Sequence, residues 1–518
     1  MILRTLAAFA LSLSFIGSAA AEDWPTWRAD PERSGYTAEK LPADLKLQWS
    51  RKLPHAPQPA WPRSDRMKFD RAFPIISADK KLFYGSSVDC SIHALDAETG
   101  DTVWTFPTRA PVRFAPSYYE GRIYATSDDG FLYCLHAHDG SLIWKKRGGP
   151  SDEMILGNSR LVSRWPARGG AVIRDGVVYF AAGIWPSDGV SLYALDPATG
   201  ETLWVNDTAG SIYMGQPHGG AFAKSGVAAQ GYLLASDDRI FMATGRAVPA
   251  SFDRETGAFQ YLSLQANTRR GGAEVVLSDR FFINSGYAFE QADGELGPKI
   301  GVGPIVQTPS GFLGAFGKTL KLCQWVEKAA VDRKGESKTE RGLEEVFSIT
   351  QESAADCAIV AANEAVLGSA NEVRIIDLDS HQKRWEAEIK GVPRALVVAN
   401  GKLFISTDEG YLFCFGNGER TRQPIVEIPA VSDQQLQAAK SIVEKSEIAA
   451  GYCVQLGIDD GELALALAKA SDLFIYGIEP DAAKLAAARE MLTRFGVYGS
   501  RVGWKTSFVR KTGIGTQL

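Results

Sequence analysis

Two glycines and one glutamate near the C-terminus have the types and the spacing of a nucleotide-binding turn. A predicted strand, Tyr452–Leu456, leads through the loop Gly457-Ile-Asp-Asp-Gly461 into a predicted helix. Glycines at such a loop let a ligand approach the backbone N–H groups that open a helix. Glu479 ends the next predicted strand, where its carboxylate can accept hydrogen bonds from a ribose diol. We therefore predict that Gly457, Gly461 and Glu479 bind a cofactor that carries a ribose.

A second group has the side chains of a metal site. His136 and His138 alternate at the end of a predicted strand, and Asp139 follows them. Two imidazoles and a carboxylate would suit a transition metal. The alternative is structural, because His136 takes the place of an aspartate in a recurring turn, where an imidazole can accept the same backbone hydrogen bond. We favour the turn, and we predict no metal ligands and no catalytic residues.

Six cysteines are spread through the chain, and none is next to another. They are Cys90, Cys134, Cys323, Cys357, Cys414 and Cys453. The sequence has no C-x-x-C pair, so a zinc ribbon and a c-type haem have no support. Cys134 and Cys414 fall at strand positions where another copy of the repeat has Ala194. We therefore predict that the cysteines are small core residues.

A repeat supplies the elements that must position these residues. The pattern Asp-x-x-Thr-Gly-x-x-x-Trp occurs, with substitutions, at residues 96–104, 136–144, 196–204, 253–261 and 377–385. An apolar alternating run precedes each copy and predicts a strand, and the aromatic residue falls on the strand that follows. The aspartate can accept hydrogen bonds from backbone N–H groups of the turn, and the glycine tolerates a positive φ. With two strands upstream, each unit is typical of a propeller blade.

The repeat predicts a mainly β fold. We expect a seven- or eight-bladed β-propeller with four-stranded antiparallel blades, followed by a small incomplete α/β (Rossmann-like) segment. Trp49 and Trp325 mark degenerate units. We expect the last strands, within residues 403–415, to pair with the N-terminal segment around Trp24 and Trp27, because a closed ring leaves no exposed sheet edge.

The chain divides into five predicted segments. They are a signal peptide at 1–21, a β-propeller at 22–418, a linker and helix at 419–449, a partial α/β segment at 450–502 and a disordered tail at 503–518. The signal peptide rests on Arg4, the apolar run 6–16 and the small residues 19–21. It predicts a periplasmic or otherwise exported protein that is soluble after cleavage. We expect no transmembrane segment, and the net charge of −5 gives no support to nucleic-acid binding.

Residues 23–415 resemble bacterial quinoprotein-like β-propeller repeat proteins, whose repeat carries the Asp-x-x-Thr-Gly-x-x-x-Trp pattern. The opening segment 23–30, with Arg33-Ser-Gly35 after it, also looks like that of such proteins. The resemblance implies pyrroloquinoline quinone (PQQ) as the cofactor of related dehydrogenases, together with a vicinal disulfide and a calcium ion. This sequence has no adjacent cysteine pair, and no cluster of acidic and amide residues stands out as a calcium site.

Residues 451–502 resemble the first third of a class I S-adenosylmethionine-dependent methyltransferase. The segment 479–489 looks like the second strand and helix of that family. The resemblance implies that Gly457, Gly461 and Glu479 would contact S-adenosylmethionine. Two residues depart from the family pattern: Gln455 stands where an acidic residue is usual, and Asp459 replaces a glycine of the loop.

These observations favour an exported propeller that binds or scaffolds other molecules and has no catalytic activity of its own. The periplasmic propeller that helps outer-membrane protein assembly is of similar make, so we expect a protein or a cell-envelope ligand as partner. The oligomeric state stays open. The alternatives are a PQQ-dependent dehydrogenase, or a methyltransferase rendered incomplete by truncation. Neither PQQ nor S-adenosylmethionine is assigned as a cofactor.

Overall fold

Eight sheets of four antiparallel strands form the blades of a β-propeller in the part of the chain that the structure describes. The structure is a computed structural model, and it describes residues 22–64, 66–157, 160–216, 219–245, 247–264, 271–331, 337–418 and 431–505. The prediction of four-stranded antiparallel blades is confirmed, and the blade number, left at seven or eight, is eight. The predicted signal peptide at 1–21 lies outside the described residues.

The first four blades follow one another along the chain, each with its innermost strand first. Blade 1 comprises Ile75–Ala78, Lys81–Gly85, Ser91–Asp96 and Thr102–Pro107; blade 2 Ser117–Tyr119, Arg122–Thr126, Phe131–His136 and Leu142–Arg147; blade 3 Ala167–Arg174, Val177–Ala182, Ser191–Leu195 and Thr202–Asn206; and blade 4 Leu233–Ala235, Arg239–Met242, Val248–Asp253 and Phe259–Ser263.

The other four blades include the longest strands and the closure of the ring. Blade 5 comprises Val275–Ser278, Phe281–Asn284, Tyr287–Glu290 and Leu296–Lys299; blade 6 Ile305–Thr308, Gly311–Phe316, Thr319–Val331 and Ser337–Thr350; blade 7 Cys357–Ala361, Glu364–Ser369, Glu372–Asp377 and Lys383–Glu388; and blade 8 Pro393–Ala399, Lys402–Thr407, Tyr411–Gly416 and the N-terminal strand Lys46–Lys52. Blade 7 also pairs in parallel with a two-residue strand, Tyr36–Thr37.

The ring closes through the strand Lys46–Lys52, which pairs antiparallel with Tyr411–Gly416 as the outer strand of blade 8. The N-terminus therefore does close the ring, as expected. The prediction that the segment around Trp24 and Trp27 makes this pairing was wrong, because those residues lie near the axis. Trp24 instead forms a β-bridge with Ser77 of blade 1.

Each repeat tryptophan joins its own blade to the next one. Trp385 donates its indole N–H to the carbonyl of Leu45 at 2.9 Å. In four others, the indole N–H donates to the carbonyl of the residue that follows the first residue of the next blade's repeat turn, with N···O distances of 3.1–3.2 Å. The pairs are Trp49 with Ala97, Trp104 with Ala137, Trp144 with Pro197 and Trp204 with Arg254. The tryptophans thus occupy equivalent positions around the ring, and this contact explains why they recur at fixed spacing.

The N-terminal residues 24–39, here called the axial segment, run around the inside of the ring and bond to every blade. Backbone carbonyls of this segment accept hydrogen bonds from the amides of Ser77, Tyr118, Ala235, Leu277, Gln307 and Val360, on blades 1, 2, 4, 5, 6 and 7. Its glutamates reach the other two blades: Glu32 binds Arg174 of blade 3 at 2.7 Å, and Glu39 accepts from the amide of Asn400 in blade 8 at 3.1 Å.

The two faces of the ring differ in their connections. Because neighbouring strands run in opposite directions, the turns after the first and third strands of a blade lie on one face, and the blade-to-blade connections lie on the other. The repeat turns are on the first face. The long loop 53–74 and two hairpins, 154–163 and 212–225, are blade-to-blade connections. They therefore lie on the second face, here called the insertion face.

Within residues 431–505, the structure describes three helices and three parallel strands after the propeller. They are the helix Asp433–Ser446, the strand Ala450–Leu456, the helix Glu462–Ala470, the strand Asp472–Ile478, the helix Ala482–Arg494 and the strand Val502–Lys505. The strand Asp472–Ile478 lies in the centre of the sheet. A Rossmann-like or methyltransferase assignment of this segment stays a prediction, and so do the predicted segment boundaries.

This C-terminal segment contacts the insertion face. The hydroxyl of Tyr476 accepts a hydrogen bond from the amide of Leu161 at 2.9 Å, and the hydroxyl of Tyr498 donates to the carbonyl of Thr108 at 3.1 Å. Residues 503–505, predicted as part of a disordered tail, instead end a strand that pairs with Asp472–Ile478. The rest of the predicted tail, from 506 onward, and the linker 419–430 lie outside the described residues.

None of the helices that the structure describes is long and apolar enough to cross a membrane.

Candidate functional site

A cavity of about 360 Å³ lies near the axis on the insertion face. This volume falls in the usual range of small-molecule sites. Its wall combines the axial segment, the loop 66–74 and the connections that lead into the inner strands of blades 4 to 8. The lining residues come from distant parts of the chain, and closure of the ring brings them together.

An aromatic stack forms one part of the cavity wall. Trp27 of the axial segment stacks on Tyr232, with 4.8 Å between ring centroids and 5° between ring planes. The Tyr232 hydroxyl accepts a hydrogen bond from the amide of Ala115 at 2.9 Å, and Phe114 packs edge-on against the ring at 4.9 Å. These contacts fix the orientation of the stack, which gives the cavity a flat, rigid aromatic surface.

The cavity wall carries more positive than negative side chains. The cationic residues are Arg28, Arg66, Lys68, Arg71 and Arg394, and the acidic ones are Glu274 and Asp356. Among the described lining residues, five cations against two carboxylates leave a formal excess of three positive charges, in a chain whose net charge is −5. Positive charge concentrated in a cleft attracts anionic ligands. The electrostatics of the cavity therefore favour an anion.

Arg28 carries a charge that the protein solvates with backbone carbonyls. Its guanidinium donates to the carbonyls of Arg33 at 2.9 Å and Ser34 at 3.2 Å, and also to that of Ile305. Among the described residues Arg28 forms no salt bridge, and burial lowers its pKa from the ordinary value. A bound anion would offset this cost of burying the charge.

The described residues satisfy only part of the hydrogen-bonding capacity of the Arg394 guanidinium. Its Nη1 binds Asp356 at 2.7 Å. Its Nε is buried and has no hydrogen-bond partner among the residues that the structure describes. An unsatisfied buried donor is costly. A ligand with an acceptor group would satisfy it.

A buried ionic network holds the loop 66–74 in place. Asp70 accepts hydrogen bonds from Arg113 at 2.7 Å and from the amide of Ala60 at 2.8 Å. Arg113 also binds Asp128 at 2.6 Å, and Asp128 accepts from Arg168 at 2.9 Å. Burial alone would raise the pKa of Asp128, but the two arginines lower it on balance. The network holds Asp70 and thereby fixes the neighbouring Lys68 and Arg71, which line the cavity.

The three residues predicted to bind a ribose-containing cofactor do lie together. Gly457 and Gly461 have φ of 71° and 84°. The carboxylate of Glu479 accepts hydrogen bonds from the amides of Ile458 at 3.0 Å and Asp481 at 2.9 Å, which lower the pKa of Glu479. The carboxylate therefore braces the glycine loop itself. S-Adenosylmethionine binding at Gly457, Gly461 and Glu479 stays a prediction.

Of the other sequence candidates, the His136 group lies apart from the cavity, whereas one cysteine lines it. His136, His138 and Asp139 are exposed on the repeat turn of blade 2. All six cysteines are free thiols, and Cys357 lines the cavity with a pKa that burial raises to about 12. Within the described ranges, no group of three or more His, Cys, Asp and Glu side chains converges as a metal site would require.

Comparison with known families assigns the propeller. A PQQ-repeat family model, described as outer membrane protein assembly factor BamB, matches residues 27–204 and 166–463. These ranges cover more than half of the chain. The chain belongs to the PQQ-repeat β-propeller family. The predicted resemblance to quinoprotein-like propellers is thereby confirmed, whereas the comparisons give no support to the methyltransferase resemblance.

Several dehydrogenases are similar to this chain. The quinoprotein ethanol dehydrogenase of Pseudomonas aeruginosa is 25% identical over 223 residues, which are 38% of this chain and 34% of that protein. The match thus spans about a third of the relative's length. The quinohemoprotein alcohol dehydrogenase of Comamonas testosteroni has a TM-score of 0.52 at 13% identity, covering 81% of this chain and 85% of that one. At such identity a solved structure shows the fold alone.

A second solved structure is similar over more of the chain. The quinohemoprotein alcohol dehydrogenase ADHIIG from Pseudomonas putida HK5 has a TM-score of 0.53 at 12% identity, covering 92% of this chain and 95% of that one. Similarity to the quinoprotein ethanol dehydrogenase contradicts the prediction of a binding or scaffold protein without catalytic activity, and it favours the alternative, a PQQ-dependent dehydrogenase. The prediction was wrong because it rested on the lack of adjacent cysteines and of an acidic cluster, whereas the charged cavity is assembled from distant connections.

The cavity fits PQQ itself, but it does not fit the calcium ion and the vicinal disulfide that accompany PQQ in related enzymes. PQQ is a planar tricarboxylate, and it would match the excess of cations and the Trp27–Tyr232 stack. A calcium ion needs six to eight oxygen ligands, and the described residues do not provide a converging acidic group for it. The vicinal disulfide of related enzymes has no counterpart, since every cysteine is free.

Proposed function

We propose that this chain is a PQQ-dependent oxidoreductase of the alcohol dehydrogenase type, with PQQ bound in the axial cavity. The observation that carries the proposal is the cationic excess of the cavity beside a rigid aromatic stack. Similarity to the quinoprotein ethanol dehydrogenase supports it.

Arginine and lysine side chains of the cavity would hold the carboxylates of PQQ. Arg28 and Arg394 have fixed positions, the first through carbonyl contacts and the second through Asp356. The indole of Trp27, which lines the cavity, would contact the planar ring system, since aromatic rings attract each other. PQQ supplies an ortho-quinone that takes up the two electrons and two protons released when an alcohol is oxidised to a carbonyl compound.

Glu274 is the carboxylate of the cavity that we assign to proton transfer. Its side chain is exposed to the cavity, and it makes no salt bridge among the described residues. The other cavity carboxylate, Asp356, is bound to Arg394 at 2.7 Å. Glu274 would accept the hydroxyl proton of the alcohol, which is the role of a general base.

Reconstitution tests the proposed activity directly. The purified chain is loaded with PQQ, in the presence and absence of Ca²⁺, and reduction of a dye acceptor is followed with a series of primary alcohols. We expect alcohol-dependent reduction, and we expect Trp27→Ala to lose it. The exposed Trp185, also on the insertion face but outside the cavity lining, gives the control Trp185→Ala. Bound PQQ without any alcohol-dependent reduction would refute the dehydrogenase.

The assignment of Glu274 makes a separate prediction. Glu274→Gln keeps the size of the side chain and removes its basicity, so kcat should fall by about 10²–10⁴-fold. PQQ binding should stay within a few-fold, which calorimetry would measure. An unchanged kcat in Glu274→Gln would rule out the proton-transfer role.

A further inference from the structure

We propose that the axial cavity binds PQQ without a divalent cation, with guanidinium and ammonium groups supplying the positive charge that calcium supplies in related enzymes. This inference rests on the proposed function and goes beyond it, because it specifies how this chain's own residues replace a component of the cofactor system.

The donor set of the cavity is unsuitable for calcium. Calcium prefers several carboxylate and carbonyl oxygens at one point. The described part of the cavity wall contains two carboxylates, and one of them, Asp356, already neutralises Arg394. A calcium ion bound at Asp356 would have to displace a hydrogen-bonded guanidinium and then lie beside it. Like charges at such distances repel strongly in a partly buried site.

The cations are arranged on several sides of the same space. Arg28 comes from the axial segment, Lys68 and Arg71 from the loop 66–74, and Arg394 from the start of blade 8. A divalent ion concentrates its charge at one point, whereas these groups surround the cavity and can each bind a different carboxylate. Arginine is suited to this role because its fork of N–H groups matches a carboxylate.

Two of these groups are ready to accept an anion. Arg28 is fixed by carbonyls and not by a carboxylate, so its charge is not neutralised by a salt bridge within the described residues. The buried Nε of Arg394 has no hydrogen-bond partner there. Both features are expected of a site whose counter-charge arrives with the ligand.

Equilibrium binding of PQQ to the metal-stripped chain tests the inference. Calorimetry is performed in EDTA, in millimolar Ca²⁺ and in La³⁺, each at low and high salt. We expect the dissociation constant to agree within about twofold among the three conditions and to rise with ionic strength, since charge pairing is screened by salt.

Charge variants identify the groups that replace the metal. Lys68→Met and Arg394→Met should each weaken PQQ binding in EDTA by about tenfold or more, as expected for the loss of a hydrogen bond to a charged group. Arg63→Gln, an exposed position on the same long loop but outside the cavity lining, should leave binding unchanged.

The possible outcomes separate the two proposals. PQQ that binds tenfold or more tightly with Ca²⁺ or La³⁺ would overturn the metal-independent site and leave the proposed function standing. Tight binding in EDTA that Lys68→Met and Arg394→Met do not weaken would also overturn it. If PQQ binds in none of the conditions, the proposed function itself fails, and this inference fails with it.

Discussion

The aspartate of the repeat organises its turn through hydrogen bonds to backbone N–H groups. Oδ1 of Asp96 accepts from the amides of Glu98 at 2.9 Å and Thr99 at 2.8 Å. Oδ1 of Asp196 makes the equivalent contacts with Ala198 and Thr199. The expected role of the aspartate is therefore realised, and the bonded carboxylate is favoured in its charged form.

Three of these turns predict an acid-dependent loss of stability. Hydrogen bonds from the turn lower the pKa of Asp196, Asp253 and Asp377 below the ordinary value of 3.8. A depressed folded-state pKa gives stability that is present above about pH 4 and is lost as the pH falls through the folded pKa. The melting temperature should decline less steeply below pH 4 in the variant with Asp→Asn at all three positions, because the amide oxygen still accepts but does not titrate. Identical acid profiles would contradict this.

A contact between neighbouring blades explains why the repeat turn contains a glycine. Gly140 has φ of 73°, and a Cβ atom there would lie 2.6 Å from the ring of Trp104 in the preceding blade. Gly100, Gly200 and Gly257 meet Trp49, Trp144 and Trp204 in the same way. The glycine thus serves both the turn and the indole that packs on it.

A matched pair of substitutions separates these two roles. Gly121 has φ of 74°, but a Cβ atom at this position would have no neighbour within 4 Å, whereas at Gly140 it would meet Trp104. Gly121→Ala should destabilise the fold by about 1–2 kcal/mol through the left-handed backbone alone. Gly140→Ala should cost roughly 1–3 kcal/mol more through overpacking. Urea unfolding would measure both, and equal effects would show that the ring contact is unimportant.

The sequence predicts the blades that carry the repeat and leaves the others uncertain. Blade 5 has no tryptophan in its outer strand Leu296–Lys299, although Tyr261 of blade 4 still donates to Gln291 at 3.0 Å. In blade 6, Trp325 bonds back to Ser278 of blade 5 at 2.7 Å. The inter-blade contact is thus made by other residues in these blades, which is why seven and eight could not be distinguished.

The cavity could not be predicted for a different reason. Its cations are separated by up to several hundred residues, from Arg28 to Arg394, and their proximity depends on closure of the ring. One signal was present in the sequence: the connection 53–74 contains Arg63, Arg66, Lys68 and Arg71 between two predicted strands. Such a basic loop indicates an anion site once the propeller is assumed.

At the scale of the whole molecule, the axial segment connects blades that do not touch one another. It bonds to all eight, and positive φ at Arg28, Ala29 and Arg33 lets it curve within the ring. Arg33 is 1% exposed and donates to the carbonyls of Leu233 and Trp27, both at 3.0 Å. The ring is therefore stabilised from its centre as well as between neighbouring blades.

Hydrogen exchange would test this central role. In a chain lacking residues 22–39 but keeping the closing strand Lys46–Lys52, the six inner-strand amides that donate to the segment should exchange much faster. The increase should occur in blades 1, 2, 4, 5, 6 and 7 together. Faster exchange confined to blades 1 and 8 would instead mean that the segment acts locally, near the point where the ring closes.

The axial segment also limits how the number of blades in this chain can change. The backbone carbonyls of the segment follow the same order as the blades whose amides they bind. If a blade were gained by duplication or lost by deletion, every later carbonyl of the segment would no longer face the amide that it now binds. Loops on the insertion face are free of that constraint, so this chain should tolerate insertions there better than the gain or loss of a blade.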